Sequence, residues 1–340
     1  MRGRYLVTGV VFSLTLLWAL APALAQDEQP GRPAGDEKGV VTVTLFSTGD
    51  MHEASGNLVR VAGYVKEWKK KNPGTLLIDA GDFMNDRDPR RGSTPGEQMI
   101  PIMIAAGYDV CTLGNHDYRF GKDWMLEMSR KYPKFPLVLC NMNWSEEDKE
   151  KAKHIPRYRI FEFEGLRLAV IGSGSNKKNH MHGPPFPFFD VREGYMAVYD
   201  EVRQKADVIV AVTHQEDGED RRRLGAWGEK PPDVLIGAHS HNRLVQRSGK
   251  TLIIKAGAMG SPLGMVTIKW NTEEKKLVSC TGSLEPVRGD WPEDKEVKAL
   301  REKFLNPAPK QTEPKKDEKA AEPAAKGAAA PLLEPALAGA

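Results

Sequence analysis

The sequence is poor in cysteine, and the few cysteines are not arranged for chemistry. Cys111, Cys140 and Cys280 are the three cysteines of the chain, and none of them has the C-x-x-C spacing of a metal or redox site. An odd number leaves at least one thiol without a disulfide partner. Because Cys111 and Cys140 lie in apolar, strand-like runs, we expect buried thiols that pack as small hydrophobic side chains.

The sequence also lacks a large excess of one charge and a hydrophobic run long enough to span a membrane. Its formal net charge is +3 over 340 residues, which is too small to indicate nucleic acid or an anionic membrane surface as a partner. The apolar run from Tyr5 to Leu20 is shorter than the ~20 residues that a spanning helix needs. We therefore expect no nucleic-acid polymer as partner and no stable membrane insertion.

The N-terminus has the pattern of an export signal. Arg2 and Arg4 precede the apolar run, and Ala23 and Ala25 place small residues at the two positions that a signal peptidase inspects. The pattern predicts a signal peptide over residues 1–25, cleaved after Ala25, and a periplasmic or secreted protein. An uncleaved membrane anchor is the alternative interpretation, and the shortness of the apolar run argues against it.

The composition changes twice along the chain and suggests one folded domain between two irregular segments. Residues 26–39 are rich in Gly, Pro and charge and read as a linker. Residues 306–340 consist mostly of Pro, Ala, Lys and Glu and cannot bury enough apolar surface to become ordered, so they predict a disordered tail. The folded domain is expected over residues 40–305.

Strand and helix patterns alternate through most of this domain. Val41, Val43 and Leu45 alternate with threonines, which is typical of a strand. Helical spacing is found at residues 57–71, 96–106, 122–131 and 193–205, and the intervening strands are predicted at 75–79, 109–113, 136–140, 158–163, 166–172, 207–213 and 233–237. The alternation predicts an α/β fold. Four further strands follow without a helix, at 244–245, 251–255, 264–270 and 276–283, and favour a second sheet packed on the first.

Side chains able to bind metal follow the strand ends in order. The series is Asp50-x-His52, Gly81-Asp82, Gly114-Asn115-His116-Asp117, His214, and His239-x-His241. Each motif alone is commonly a solvated turn or a structural histidine, but side chains beyond the carboxyl ends of neighbouring strands converge on one crevice. Carboxylate, imidazole and amide ligands without thiolate suit Mn²⁺, Zn²⁺ or Fe²⁺. One carboxylate, such as that of Asp82, can bridge two cations ~3.5–4 Å apart. The series predicts a metal site.

The same series resembles the calcineurin-like metallophosphoesterase superfamily, and most of all the catalytic domain of its 5′-nucleotidase-type periplasmic branch. The resemblance covers roughly residues 40–285. It implies a four-layer α/β/β/α sandwich with two mixed sheets and a metal site at the carboxyl ends of the strands. It also implies an exported phosphoesterase in which a metal-activated hydroxide attacks a phosphate ester, with nucleotides as the leading class. The metal ligands would be Asp50, His52 and His241 for one ion, Asn115, His214 and His239 for the other, and Asp82 between them.

His116 would not be a ligand under this resemblance but the general acid that protonates the leaving group. The family pattern places an aspartate three residues later, where this chain has Arg119. Three interpretations remain open. Asp86 orients His116 in place of the missing carboxylate, Arg119 clamps the substrate phosphate with its planar fork, or the acid is weakened and activity is low. We favour the first two.

A second departure concerns the substrate. The 5′-nucleotidase branch has a separate C-terminal domain that binds base and ribose, whereas the fold predicted here ends near residue 305. The resemblance thus favours the phosphoesterase chemistry over nucleotides as substrates. Two alternatives are kept, a thiosulfohydrolase-like enzyme of sulfur oxidation and a non-catalytic exported module that binds metal or an anion. The position two after His214, Glu216, adds a negative charge near the site if it points inward.

Overall fold

The computed structural model describes residues 38–85, 96–118, 121–175 and 187–305. Within these ranges it contains eleven strands and seven helices. The strands are β1 (Val40–Thr48), β2 (Thr75–Asp79), β3 (Val110–Cys111), β4 (Tyr158–Phe163), β5 (Leu166–Gly172), β6 (Val208–Gln215), β7 (Val234–His239), β8 (Arg243–Ser248), β9 (Thr251–Ala256), β10 (Leu263–Asn271) and β11 (Lys276–Glu285). The helices are α1 (Ser55–Lys71), α2 (Met99–Ala106), α3 (Gly121–Lys131), α4 (Glu146–Ala152), α5 (Val191–Lys205), α6 (Asp217–Ala226) and α7 (Lys295–Leu305).

The strands form two mixed sheets. Sheet 1 has the order β11-β10-β1-β2-β3, and sheet 2 has the order β4-β5-β6-β7-β9-β8. In sheet 1, β1, β2 and β3 are parallel, and β10 and β11 pair antiparallel on the other side of β1. In sheet 2, β5, β6, β7 and β9 are parallel, and the edge strands β4 and β8 pair antiparallel. Parallel strands end at the same edge of a sheet, so each sheet brings the ends of several strands to one rim.

Three hydrophobic cores separate four layers. Alternate side chains of β1, such as Val43 and Leu45, pack between the two sheets with Val210 and Ile236 of sheet 2. Phe46, on the opposite face of β1, packs under α1, α2, α3 and α7, and the outer face of sheet 2 packs under α5 and α6. Because strand side chains alternate between faces, each sheet is covered on both sides. The predicted α/β/β/α sandwich with two mixed sheets is confirmed.

The late strands are distributed differently from the sequence-based expectation. They do not form a separate second sheet. β8 and β9 extend sheet 2, whereas β10 and β11 return to pair with β1 at the edge of sheet 1. The predicted strand at 136–140 was also wrong, since only Leu137 makes a bridge, to Cys111. Helix α7, which packs on α1 and α2, was not predicted.

The sequence reasons for the predicted helices hold in the structure. In α1 the residues at helical spacing, including Leu58, Val61 and Val65, are buried, and the helix stops at Lys71, just before Asn72-Pro73. Helix α2 ends at Gly107, whose φ of 83° is the left-handed conformation that glycine adopts most easily. The three cysteines are buried and form no disulfide.

The described residues include no helix that is both long and apolar enough to cross a bilayer. The signal peptide, most of the linker and the tail predicted from the sequence lie outside the described residues, and the domain limits at 40 and 305 remain predictions.

Candidate metal centre

The predicted ligands lie at the carboxyl ends of parallel strands from both sheets. Sheet 1 supplies Asp50 and His52 after β1, Asp82 after β2, and Asn115 and His116 after β3. Sheet 2 supplies the rest from two neighbouring strands. His214 is the penultimate residue of β6, His239 is the last residue of β7, and His241 follows two residues later. The fold therefore brings together segments that are far apart in the chain.

The backbone around these side chains is strained. Left-handed φ values, which residues other than glycine seldom adopt, occur at five predicted ligands. They are Asp50 (51°), His52 (45°), Asp82 (58°), His239 (80°) and His241 (57°). Each such conformation costs of order 1–3 kcal/mol and persists where the surrounding structure imposes it. The strain turns each strand end sharply, so that successive side chains face the same crevice.

Asp50 is the centre of the first group of side chains. Its carboxyl is fully buried, and its Oδ1 atom lies 3.9 Å from His52 Nε2, 3.8 Å from His214 Nε2 and 3.6 Å from His241 Nε2. The Nε2 atoms of His52 and His241 are themselves 3.0 Å apart. The other carboxyl oxygen of Asp50 accepts the backbone N–H of His239 at 2.8 Å. Asp50, His52 and His241 form a cluster whose ligand atoms are close enough to bind one cation.

Asp82 is the centre of the second group and is 2% exposed. Its Oδ2 lies 3.1 Å from His214 Nε2 and 3.9 Å from His116 Nε2, and its Oδ1 accepts the backbone N–H of His116 at 2.8 Å. Asp82 is common to two potential metal clusters, one with His52 and His116 and one with His214 and His239. The Asp82 carboxyl is therefore shared between histidines of both sheets.

His214 is held so that one ring nitrogen faces the two carboxylates. Its Nδ1 lies 2.9 Å from the carbonyl oxygen of Ala80. A carbonyl oxygen only accepts hydrogen bonds, so Nδ1 carries the proton and Nε2 is left to face Asp82 and Asp50. This is the second partner that metal-binding histidines commonly have.

The electrostatics of the metal-free site follow from burial and from these close contacts. Burial raises the pKa of Asp50 to about 6 and lowers the pKa of His52 to about 4. Burial alone would lower the pKa of His214, but the carboxylates of Asp82 and Asp50 raise it to about 10. For Asp82 burial acts to raise the pKa, and His214 nevertheless holds it below its usual range. Without cations, the charged ring of His214 offsets part of the negative charge of the two buried carboxylates.

Asn115 provides a test of whether this arrangement suits metal ions. It is 2% exposed, and its side-chain oxygen accepts no hydrogen bond from any described residue. A buried amide oxygen without a donor costs about 1–3 kcal/mol unless another partner is provided. A divalent cation with oxygen and nitrogen ligands would satisfy it. The donor set and this oxygen both fit divalent metal.

His116 lies within the site, whereas the two residues proposed to assist it cannot be placed. Its ring is 4.9 Å from that of His52 and stands edge-on to it. The His116 side chain is 14% exposed, so part of it reaches solvent. Asp86 and Arg119 lie outside the described residues, so both assignments remain predictions.

Asp117 belongs to the motif Gly114-Asn115-His116-Asp117, but the sequence alone predicts no role for it. Its side chain is fully buried and accepts three backbone N–H groups, from Asp82 (2.6 Å), Gly114 (2.7 Å) and Met84 (2.9 Å). Aspartate in a short polar loop often accepts backbone hydrogens in this way, which was the available sequence signal. Asp117 joins the loops after β2 and β3.

Glu216, two residues after His214, does point inward. Its Oε1 lies 3.3 Å from His239 Nε2, and its side chain is half exposed. Glu216 also begins α6 through a capping box with Glu219. A negative charge therefore lies at the rim of the site.

The chain has relatives among proteins of known activity. A 5′-nucleotidase of Vibrio vulnificus is 24% identical over 241 residues, which cover 61% of this chain and 43% of that protein. The structure of a 5′-nucleotidase precursor from Thermus thermophilus covers 78% of this chain and 59% of its own, with a TM-score of 0.64 and 21% identity. The sulfate thiohydrolase SoxB of Thermus thermophilus also has a TM-score of 0.64, with 15% identity, over 78% of this chain and 60% of its own.

These likenesses have different weights. The two structures share the fold, and at such identities they show nothing further. The chain spans between 21% and 50% of the length of the first four curated relatives that it matches. The family model of calcineurin-like phosphoesterases matches residues 44–243, which is more than half of the chain and contains every predicted metal ligand. The chain therefore belongs to the calcineurin-like phosphoesterase family.

Proposed function

We propose that the protein is a binuclear metal-dependent phosphoesterase that hydrolyses small phosphate esters. The observation that carries the proposal is the pairing of two buried carboxylates with imidazoles from both sheets. Asp50 Oδ1 lies within 3.9 Å of three histidine rings, and Asp82 belongs to two of the potential metal clusters. The family uses divalent metals, which supports two ions at these clusters.

In this proposal Asp50, His52 and His241 hold one cation, Asn115, His214 and His239 hold the other, and Asp82 contacts both. Two divalent cations bound there would stabilise negative charge on phosphoryl oxygens and lower the pKa of a water molecule. The protein residues fix the geometry. The Ala80 carbonyl orients His214, and Asp117 holds the loop that carries Asp82.

His116 is proposed to deliver a proton to the leaving oxygen. Its backbone N–H is bound to Asp82, which places the ring beside the cluster without burying it. An imidazole titrates near neutral pH and can donate a proton to an alkoxide that leaves. Asp86 as an orienting residue and Arg119 as a phosphate clamp are retained as proposals for residues outside the described ranges.

Nucleotides are the substrate class that the relatives favour. Curated relatives of this chain include 5′-nucleotidases, and this chain spans about half of their length or less. We propose a nucleoside monophosphate as the first substrate to test. The alternative, a thiosulfohydrolase-like enzyme, has support only from the shared fold of SoxB. A non-catalytic binding module has no support among the described residues.

The decisive experiment is ester hydrolysis by protein reconstituted with Mn²⁺ or Zn²⁺. AMP, p-nitrophenyl phosphate and bis-p-nitrophenyl phosphate would be compared, with Asp82→Asn and, as a surface control, Asp123→Asn, whose side chain is 89% exposed. We expect turnover in the wild type and in the control and its loss in Asp82→Asn. Two bound metals per chain without hydrolysis of any ester would refute the phosphoesterase proposal. Release of sulfate from a thiosulfate conjugate would then favour the alternative.

We further propose export with cleavage after Ala25. The support is the basic start, the apolar run and the small residues at Ala23 and Ala25. The full chain would be expressed in a bacterial host, and the N-terminus and mass of the periplasmic product determined. A product that begins at Gln26 is expected. A full-length chain retained in the membrane fraction would favour the uncleaved anchor.

A further inference from the structure

A lysine is buried beneath the sheet 2 side of the metal centre. Lys255, in β9, is 1% exposed, and its Nζ contacts oxygens of both the backbone and neighbouring side chains. It donates to the backbone carbonyls of Gln215 at 2.6 Å and Ala238 at 3.1 Å. It also lies 3.0 Å from a carboxyl oxygen of Asp217 and 2.8 Å from one of Asp220.

Stability alone does not explain such a group, since an apolar side chain of the same length would avoid its desolvation. Burying an ammonium costs several kcal/mol, and even a well-paired buried ion pair often stabilises no more than apolar packing. In some proteins, buried charged groups are retained because they fix the positions of their partners. Asp220 is itself bound by the hydroxyl of Thr213 at 2.9 Å, so the carboxylate that pairs with the lysine is fixed in turn.

The contacts of Lys255 lie directly beside the predicted ligands. Gln215 follows His214 in the chain, and Ala238 precedes His239. The same ammonium therefore ties the ends of β6 and β7 together at the point where each presents a histidine. Because the Lys255 ammonium donates to backbone oxygens of both strands, a shift of the ammonium is expected to move the ends of β6 and β7.

Asp217 extends the network to the third histidine. Its two carboxyl oxygens accept hydrogen bonds from the hydroxyl of Ser240 at 2.6 Å and from the amide of Asn242 at 2.7 Å. These residues flank His241, whose φ is 57°. The carboxylate thereby holds both sides of a strained residue. Lys255 and Asp217 together touch the chain neighbours of all three histidines of sheet 2.

The sequence leaves space for this arrangement at one position. Gly237 of β7 lies opposite Lys255 in the sheet. A Cβ atom at Gly237 would lie 2.7 Å from Cε of Lys255 and 3.1 Å from a carboxyl oxygen of Asp220. The absence of a side chain at Gly237 therefore leaves the space that Lys255 and Asp220 occupy.

We propose that Lys255 and Asp217 are positioning residues that hold His214, His239 and His241 in the geometry needed for cation binding. The inference rests on the proposed function only in assuming that these histidines bind metal. Neither residue is itself a predicted ligand. They act through Gln215, Ala238, Ser240 and Asn242, so their loss changes metal affinity more than the folded state.

The test is Mn²⁺ affinity of the purified full chain, measured by isothermal titration calorimetry, for the wild type, Asp217→Asn and Lys255→Met. Asp294→Asn is the matched control, because Asp294 likewise lies at the beginning of a helix and pairs with a lysine, Lys66, at 2.6 Å. We expect Asp217→Asn to weaken Mn²⁺ binding ~10–100-fold, as loss of a partner behind a metal ligand does. Its metal-free melting temperature should change no more than that of the control.

Lys255→Met should give the same or a larger loss of affinity. If it does not fold, the partly exposed Asp217 still decides the question. Mn²⁺ affinity in Asp217→Asn equal to that of the wild type would overturn the proposal. A wild type that hydrolyses esters while both variants bind Mn²⁺ normally would overturn this inference alone. A wild type that binds no Mn²⁺ would overturn the proposed function as well.

Discussion

The two halves of the candidate metal centre are held in different ways. In the sheet 1 half, adjacent loops are held through backbone groups, which bind one another and the buried carboxyl of Asp117. Asp50 N–H donates to the Gly81 carbonyl and His52 N–H to the Asp82 carbonyl, both at 2.8 Å. In the sheet 2 half, charged side chains take this role, since Lys255 and Asp217 bind the strand ends.

The difference predicts which kind of substitution each half of the site tolerates. Hydrogen bonds between neutral backbone groups do not change with pH. A substitution in the sheet 1 half therefore acts mainly by changing the space between the loops. A buried ion group depends on its partners. Loss of Asp220, the fully buried carboxylate, would leave the Lys255 ammonium without its buried counter-charge at a cost of about 3–5 kcal/mol, whereas Asp217 is partly exposed. Changes in shape should therefore damage the sheet 1 half most, and changes in charge the sheet 2 half.

The largest effect is expected for Gly114→Ala in the sheet 1 half. A Cβ atom there would lie 2.0 Å from Oδ1 of Asp82 and 2.5 Å from its backbone nitrogen. The Asp82 carboxylate must move, and a displacement of about 1 Å at a reacting centre can cost ~100-fold in rate. Hydrolysis of p-nitrophenyl phosphate would be measured beside Gly225→Ala, whose added methyl meets nothing within 4 Å. Normal turnover in Gly114→Ala would mean that the sheet 1 loops can move apart without loss of activity, which would contradict the sensitivity to shape expected for this half.

Asp117→Asn should have the next largest effect and should act mainly on stability. The amide keeps the size of the side chain but replaces one accepting oxygen with a donor. At least one of the three N–H groups then loses its partner, at a cost of about 1–3 kcal/mol. Urea unfolding of the metal-free protein would measure it. The control is Asp109→Asn, which also loses an acceptor for a backbone N–H, that of Leu77. A smaller loss in Asp117→Asn than in the control would contradict the linking role.

The pH dependence of the metal-free protein tests the charge balance between the halves. The pKa of His214 is about 10 in the folded chain, against about 6.5 for an unperturbed histidine. Its charged form therefore stabilises the fold fully below pH 6.5, and this stabilisation is lost as the pH rises towards 10. The free energy of unfolding should fall by at most about 1.4 kcal/mol per pH unit above pH 7.

Urea unfolding between pH 7 and pH 9.5 would measure this slope in the wild type and in His214→Asn. The slope should be reduced in His214→Asn and kept in His154→Asn, which changes a histidine outside the site. The pKa of His154 is lowered by burial, so it does not titrate in this range. An equal slope in wild type and His214→Asn would show that the charge of His214 is not what joins the two halves.

The position of the candidate ligands at strand ends could be predicted from the sequence because it is a local feature. Each candidate ligand follows an apolar strand, so its position at a strand end can be predicted without knowing which strands pair. The distribution of β8 to β11 between the sheets could not be predicted in this way. Strand β10 pairs with β1, which is far away in the chain, and the local sequence of neither strand indicates this pairing.

The supporting residues were missed for the same reason. Lys255 read as the polar end of a strand, and its role appears only when the sheet register places it opposite Gly237 and beneath α6. Asp117 stood within a quoted motif, but the N–H groups that it accepts come partly from the loop after β2, 33 to 35 positions earlier. Tertiary contacts of this kind leave no periodicity in the sequence.

The smallest effect is expected for Glu216→Gln, which alters charge at the rim without altering the capping of α6. Glu216 Oε1 lies 3.3 Å from His239 Nε2 and is half exposed. Removing one negative charge that is partly screened by solvent should lower the KM for an anionic ester ~2–4-fold and leave kcat nearly unchanged. The gain should vanish at 1 M salt, where the screening length falls to about 3 Å. Glu229→Gln, an exposed charge away from the site, is the control. If Glu216→Gln instead weakened Mn²⁺ binding ~100-fold, Glu216 would be a ligand of the sheet 2 half, and that half would depend on charge even more than proposed.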